Sequence, residues 1–211
     1  MIRTAPHRAF TLIEMITVIA IIAILAALVL GVYQVVKYQT AKARADTDIQ
    51  QLSSALQSYH TDYGGFPQDS QKTDKLDARN VSDATDGSPT GKMAAASKYL
   101  YECLTGDTSD NGTMTKNYAP GFFIPSRLGG PKVGNTVNPV QYIMDPFGNS
   151  YGYSTAGLLV EQEYRAALAT NPNANRPVQN SQGTQGYNPT FDLWSTAGDT
   201  TGNTAKWRKN W

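Results

Sequence analysis

The sequence predicts an α+β protein. A single long α-helix comes first, apolar in its first half and amphipathic in its second, packed on a small antiparallel β-sheet head. Three observations carry this. Met15 to Val36 are 22 residues without a charge. Ile49, Leu52, Leu56, Tyr59 and Tyr63 then follow at steps of 3, 4, 3 and 4, one stripe of a helix. Beyond Pro67 the chain falls into short apolar runs separated by Gly, Pro, Asn and Asp, the punctuation of strands and turns.

Composition sets the bounds. The 211 residues suit one domain with an appendage, and 18 Lys and Arg against 17 Asp and Glu give a net charge of +1. A nucleic-acid-binding protein would show a basic surplus, so no nucleic-acid partner is expected. Cys103 stands alone, which excludes an internal disulfide. The mean hydropathy of −0.39 describes a soluble chain with its apolar material gathered in one place.

That place is the amino end. Met1 to Ala9 hold Arg3, His7 and Arg8 and no acid. The uncharged run after them would span roughly 33 Å as a helix, enough for a bilayer core of about 30 Å. Lys37, Tyr38, Gln39 and Thr40 form no small-x-small cleavage site, so the segment stays on the mature protein. Arg3 and Arg8 would hold the first residues on the cytoplasmic side and leave the head outside. Glu14 is the odd residue. A carboxylate at the edge of a membrane helix is either solvated at headgroup depth or meets a cation from another chain.

The run Arg8-Ala9-Phe10-Thr11-Leu12-Ile13-Glu14-Met15 closely resembles the processing and methylation signal of type IV pilins and type II secretion pseudopilins. The resemblance implies a leader, residues 1–9, cut by prepilin peptidase between Ala9 and Phe10, and methylation of the new amine on Phe10. Ala9 stands where the family has Gly. The fold so implied is type IV pilin-like. Residues 10–36 would be the transmembrane and filament-core half of the long helix, and residues 37–65 its amphipathic half. Glu14 would register one subunit against the cationic amine of the next, since a pair in a low-dielectric setting offsets the cost of burying the carboxylate. Losing Arg3 and Arg8 with the leader leaves 16 basic against 17 acidic side chains.

The helix is expected from about Phe10 to Tyr63. Gly64-Gly65-Phe66-Pro67 stops it, with Gly as the cap and Pro unable to continue. Gly31 interrupts the apolar half where many pilins carry Pro, a place for a bend or melting in a filament. Asp46 to Pro67 is similar to the family's second-half signature.

The head, residues 66–211, opens with a loop-rich insertion at about 68–139. Gln68 to Pro89, with five Asp, reads as a long surface loop. Lys92 to Leu104 reads as a short helix, and Tyr118 to Ile124 as extended. A C-terminal β region follows at about 140–211. Strands are expected at Val140 to Met144, Ser150 to Ser154 and Thr190 to Trp194. Asp145-Pro146-Phe147-Gly148-Asn149 makes a hairpin turn between the first two. Ala166 to Pro189, rich in Asn, Gln, Gly and Pro, reads as a mobile loop.

Two stretches of the head resemble the major pseudopilin in particular: Asp145 to Tyr151, and Phe191 to Asp199. The resemblance implies a calcium ion in the C-terminal loop, with Asp199 as its first acidic position and Ser195, Thr201 and Asn203 as further oxygens. The family's second acidic cluster falls at Asn203 to Lys206, which reads Asn-Thr-Ala-Lys here. A turn held by hydrogen bonds alone is the other reading. Asp107 to Gly112 carries oxygen side chains at the first positions of an EF-hand loop, but its twelfth position is Tyr118, and a helix-exit turn fits better.

No enzyme is expected. His60 is the one histidine beyond the leader and lies on the amphipathic helix, and Cys103 faces the apolar side of its own helix. The resemblance implies a structural subunit of a pseudopilus that drives type II protein secretion. Its partners would be further copies of itself, minor pseudopilins, prepilin peptidase, an inner-membrane assembly platform and, before assembly, membrane lipid. It would sit in the bacterial inner membrane as a single-pass protein with its head in the periplasm. The rivals are a type IV pilin for adhesion, motility or DNA uptake, and a singly anchored envelope protein whose insertion binds a ligand.

Overall fold

The computed structural model describes residues 10–211. Its architecture is α+β, with one long apolar-to-amphipathic helix followed by small antiparallel sheets. The chain divides into two compact units, residues 1–40 and 41–211.

Helix α1 runs Leu12–Tyr63, 52 residues, close to the expected bounds. Within the first unit it is unbroken through Gly31, where an added Cβ would meet nothing within 4 Å. All its large apolar side chains from Leu12 to Val36 are exposed. Among the described residues it is the one helix long and apolar enough to cross a membrane. Gly64 ends the helix at a φ of 73° and donates its N–H to the His60 carbonyl, a glycine cap at the expected place.

In the second unit α1 is half buried. Ile49, Leu52, Ala55 and Leu56 lie in the core, Tyr59 is packed against it, and Tyr63 is exposed, so the predicted stripe is covered over its first three members. The cover comes from α3 (Lys92–Thr105), which follows the single-turn helix α2 (Val81–Ala84), through Leu100, Tyr101 and Leu104, and from Ile143, Tyr151, Tyr153 and Leu193. The strands form three small antiparallel sheets. In the first, β1 (Leu128–Gly129) pairs with β4 (Tyr142–Ile143), Leu128 opposite Ile143. In the second, β2 (Lys132–Val133) pairs with β3 (Thr136–Val137). The third has the order β5-β6-β7, built from Gly152–Ser154, Asp192–Ser195 and Arg208–Lys209.

Four expectations change. The turn at Asp145 to Asn149 forms, with Asp145 accepting from the N–H groups of Phe147 and Asn149, and a single bridge joins Met144 to Ser150. Its two arms then diverge into different sheets instead of forming a hairpin. Gly152 explains why: a Cβ there would lie 2.1 Å from the Trp194 ring, so the bare glycine lets β5 close on β6. Gln68 to Pro89 is not a solvated loop. Thr73, Asp74, Leu76, Asp77, Ala78 and Ala84 are buried, and Leu76, Ala78 and Ala84 join Met93, Ala96, Trp194 and Trp207 in a second core. Its acids pin backbone: Asp77 accepts from the N–H groups of Arg79, Gln185 and Gly186. A further helix, α4 (Ala156–Thr170), runs into the stretch expected to be a mobile loop, and buried Asn180 ties the remainder to the Ala156 carbonyl. Tyr118 to Ile124 makes turns, not a strand.

Candidate functional site

The described residues begin at Phe10, so Ala9 and the rest of residues 1–9 lie outside them. Phe10 is exposed. Immediately after it, Thr11 caps α1. The Thr11 N–H and hydroxyl both donate to Glu14 Oε2, at 2.8 and 2.9 Å, and the Glu14 N–H returns to the Thr11 hydroxyl at 3.3 Å. This is a capping box: threonine and a glutamate three residues on satisfy each other's backbone donors at a helix start. Glu14 therefore sits in the first turn, where the helix dipole favours negative charge. Both bonds land on Oε2, and among the described residues none reaches Oε1. The Thr-x-x-Glu spacing is legible in the sequence, yet the role of Thr11 escapes a reading centred on Glu14 alone.

The second half of α1 is held in its head by two ion pairs that patterning does not reveal. Asp48, fully buried, lies 3.0 Å from Arg127 and accepts from the Tyr151 hydroxyl at 3.0 Å. Burial raises the Asp48 carboxyl above its ordinary range, against the pull of Arg127 and the Tyr151 bond. Two residues earlier, Asp46 takes a two-pronged bond from Arg208 of β7.

The C-terminal loop brings together three of its four predicted residues. Asp199 accepts from the Thr201 hydroxyl at 2.8 Å and the Asn203 N–H at 2.9 Å. It also faces Lys206 Nζ and Trp207 Nε1, both at 3.4 Å. Ser195 is elsewhere: its hydroxyl donates to Asp145. Burial works to raise the Asp199 carboxyl, but these bonds outweigh it and hold it down to about 2. Among the described residues no three His, Cys, Asp or Glu side chains gather as a metal ion would need.

The remaining candidates are structural in their settings. Asp107 accepts from Tyr101 and from the N–H groups of Asn111 and Gly112, closing the turn after α3, where Gly106 caps at a φ of 66°. His60 is exposed, with its ring 4.6 Å from that of Phe66. Cys103 is half-buried, and burial pushes its thiol up, away from reactivity.

Residues 5–30 match the family model of the prokaryotic N-terminal methylation motif. The comparisons with curated proteins and with solved structures returned no match. The motif match, set on a single apolar helix that starts at a capped Thr11, supports a type IV pilin-like substrate of prepilin peptidase: a membrane-anchored structural subunit with pilin-like polymer partners.

Proposed function

We propose that the chain is a subunit of a pseudopilus, cut before Phe10, methylated there and polymerised from the inner membrane to drive type II secretion. The motif across residues 5–30 is the observation that carries this reading. Three features support it. The apolar half of α1 leaves all its large side chains uncovered, as a helix destined for lipid and then for neighbouring helices requires. Oε1 of Glu14 is open to the amine of a neighbouring subunit while Oε2 is kept by Thr11. A lone cysteine excludes the intramolecular disulfide that closes the C-terminal region of the type IV pilins it resembles, which favours the pseudopilin over the pilus subunit. Repeated head-to-tail contacts then build an open helix, as non-closing heterologous interfaces do.

The test is intact mass and N-terminal sequencing of protein from native membranes, with prepilin peptidase present and absent. The expected product starts at Phe10 and is heavier by one methyl group only when the peptidase is present. A chain beginning at Met1 in both samples overturns the filament reading and leaves an anchored binding protein. Given processing, secretion that survives deletion of the gene while surface fibres vanish would assign the chain to a pilus.

A further inference from the structure

We propose that Lys206 is the built-in cation of the C-terminal loop, so that the turn from Ser195 to Trp207 holds its shape without a metal ion. The resemblance implies calcium at this place, and the residues present do not fit it. Calcium takes about six to eight oxygens, commonly from several carboxylates. Asp199 is the one carboxylate of the loop, and every group that meets it is a donor. Thr201 Oγ1 and Lys206 Nζ address Oδ1; the Asn203 N–H and the Trp207 indole address Oδ2. Four sets of protons point at the oxygens a divalent ion would have to take. The Asn203 side-chain oxygen is already accepting from the Ala205 N–H, and Ser195 is turned to Asp145.

The ammonium is well placed for the task. Its side chain is 51 % exposed while that of Asp199 is 2 % exposed, so the lysine reaches in from solvent and neutralises a carboxylate that the loop has buried. A buried carboxylate with no counter-charge is expensive. What this closure secures is the tail beyond it. Trp207 enters the second core beside Leu76, Met93 and Trp194, and Arg208 then begins β7 and grips Asp46 on α1. A lysine in place of a metal makes the seat of β7 a matter of sequence and ionic strength. The level of calcium around the head no longer enters. This holds whether or not the chain assembles into a filament.

Hydrogen exchange of the full chain in detergent, read by mass spectrometry on the peptide covering residues 199–207, tests it. Wild type should exchange at the same rate in millimolar calcium and in excess chelator. Lys206→Met, which keeps the stem and removes the charge, should exchange about twofold to fivefold faster in both, the size expected of a half-exposed ion pair. Lys206→Arg should restore protection. Chelator that speeds wild-type exchange, with calcium reversing it, would overturn the proposal and needs no variant to fold. Lys206→Met protected as well as wild type would overturn it equally.

Discussion

The two halves of α1 make the same backbone hydrogen bonds and differ in almost everything else. From Met15 to Val36 apolar side chains lie on every face and none is covered by this chain. From Ala45 to Leu56 the apolar positions gather on one face, and these, with Asp48, are the ones buried. The first half is written for surroundings the chain does not supply; the second is written for a particular seat in its own head. A helix that is hydrophobic all round asks for lipid or for other helices, whereas a striped one asks for a core. The contrast also separates the two kinds of energetic role. In the second half a lost methyl group is paid for in folding, while in the first it is felt in membrane residence and assembly.

Alanine substitution should break the halves apart most sharply. Leu56→Ala empties a fully buried site and should destabilise the head by about 2–5 kcal/mol. Ile22→Ala, on the uncovered half, should move the same unfolding transition by less than about 0.5 kcal/mol. Denaturant unfolding of the full chain in detergent, followed through tryptophan emission, measures both. Equal losses would erase the distinction between the halves.

A smaller effect comes from acidity in the head. Burial pushes the Asp192 carboxyl up to about 6, with the Tyr187 and Asn188 N–H groups and Arg79 pulling it back. Because the folded state holds this proton to a higher pH than the unfolded chain, the contribution is fully present below about pH 4. It is lost as the pH rises through about 6, and its size is about 3 kcal/mol. Asp199 runs the other way, its stability present above its ordinary range and lost as the pH falls towards about 2, so the two windows do not overlap. Unfolding free energies between pH 4 and 7 should therefore decline. Asp192→Asn should flatten that slope whatever it does to the absolute value. A slope unchanged in the variant would assign the proton to another buried acid.

The smallest effect is expected where the pair is partly wet. Arg208 and Asp46 are each about one-third exposed, and Arg208→Ala should cost no more than about 1 kcal/mol. Thermal unfolding in low and high salt checks it: the difference between wild type and variant should shrink as salt is added. A cost of several kcal/mol would mean that β7 does far more to hold α1 than the core beneath it.

Much of this arrangement is readable from residue order. The start of α1 near Phe10, its stop at Gly64, the Ile49–Leu52–Leu56 stripe, and α3 from Lys92 all follow from period and punctuation. What cannot be read are bonds between distant polar groups. The aspartates of the 68–89 stretch look solvated because acids usually are. Asp77 instead serves the N–H groups of Gln185 and Gly186, more than a hundred residues away. Asp48 sits among the charged and polar residues of α1 with nothing to mark it, until Arg127 and Tyr151 arrive from elsewhere. Helix α4 is hidden for a local reason. Its apolar residues bunch at Leu158, Leu159 and Val160, and it ends at Asn171 in extended backbone, without the glycine that announces a helix end. The turn at Asp145 is legible, but the divergence of its arms depends on Trp194 lying across Gly152.

The separations that tie α1 into its head also set a clock. Asp48 waits for Tyr151 across 103 positions and Asp46 waits for Arg208 across 162. At synthesis rates of about 5–20 residues per second, Arg208 follows Asp46 by roughly eight to thirty seconds. Until α3 and the strands that cover it have been made, the Ile49–Leu56 stripe exists with no lid of its own. A nascent chain already committed to a membrane by its first helix therefore carries a second, temporary apolar face, and whatever shelters that face in the interval governs how much of the protein matures.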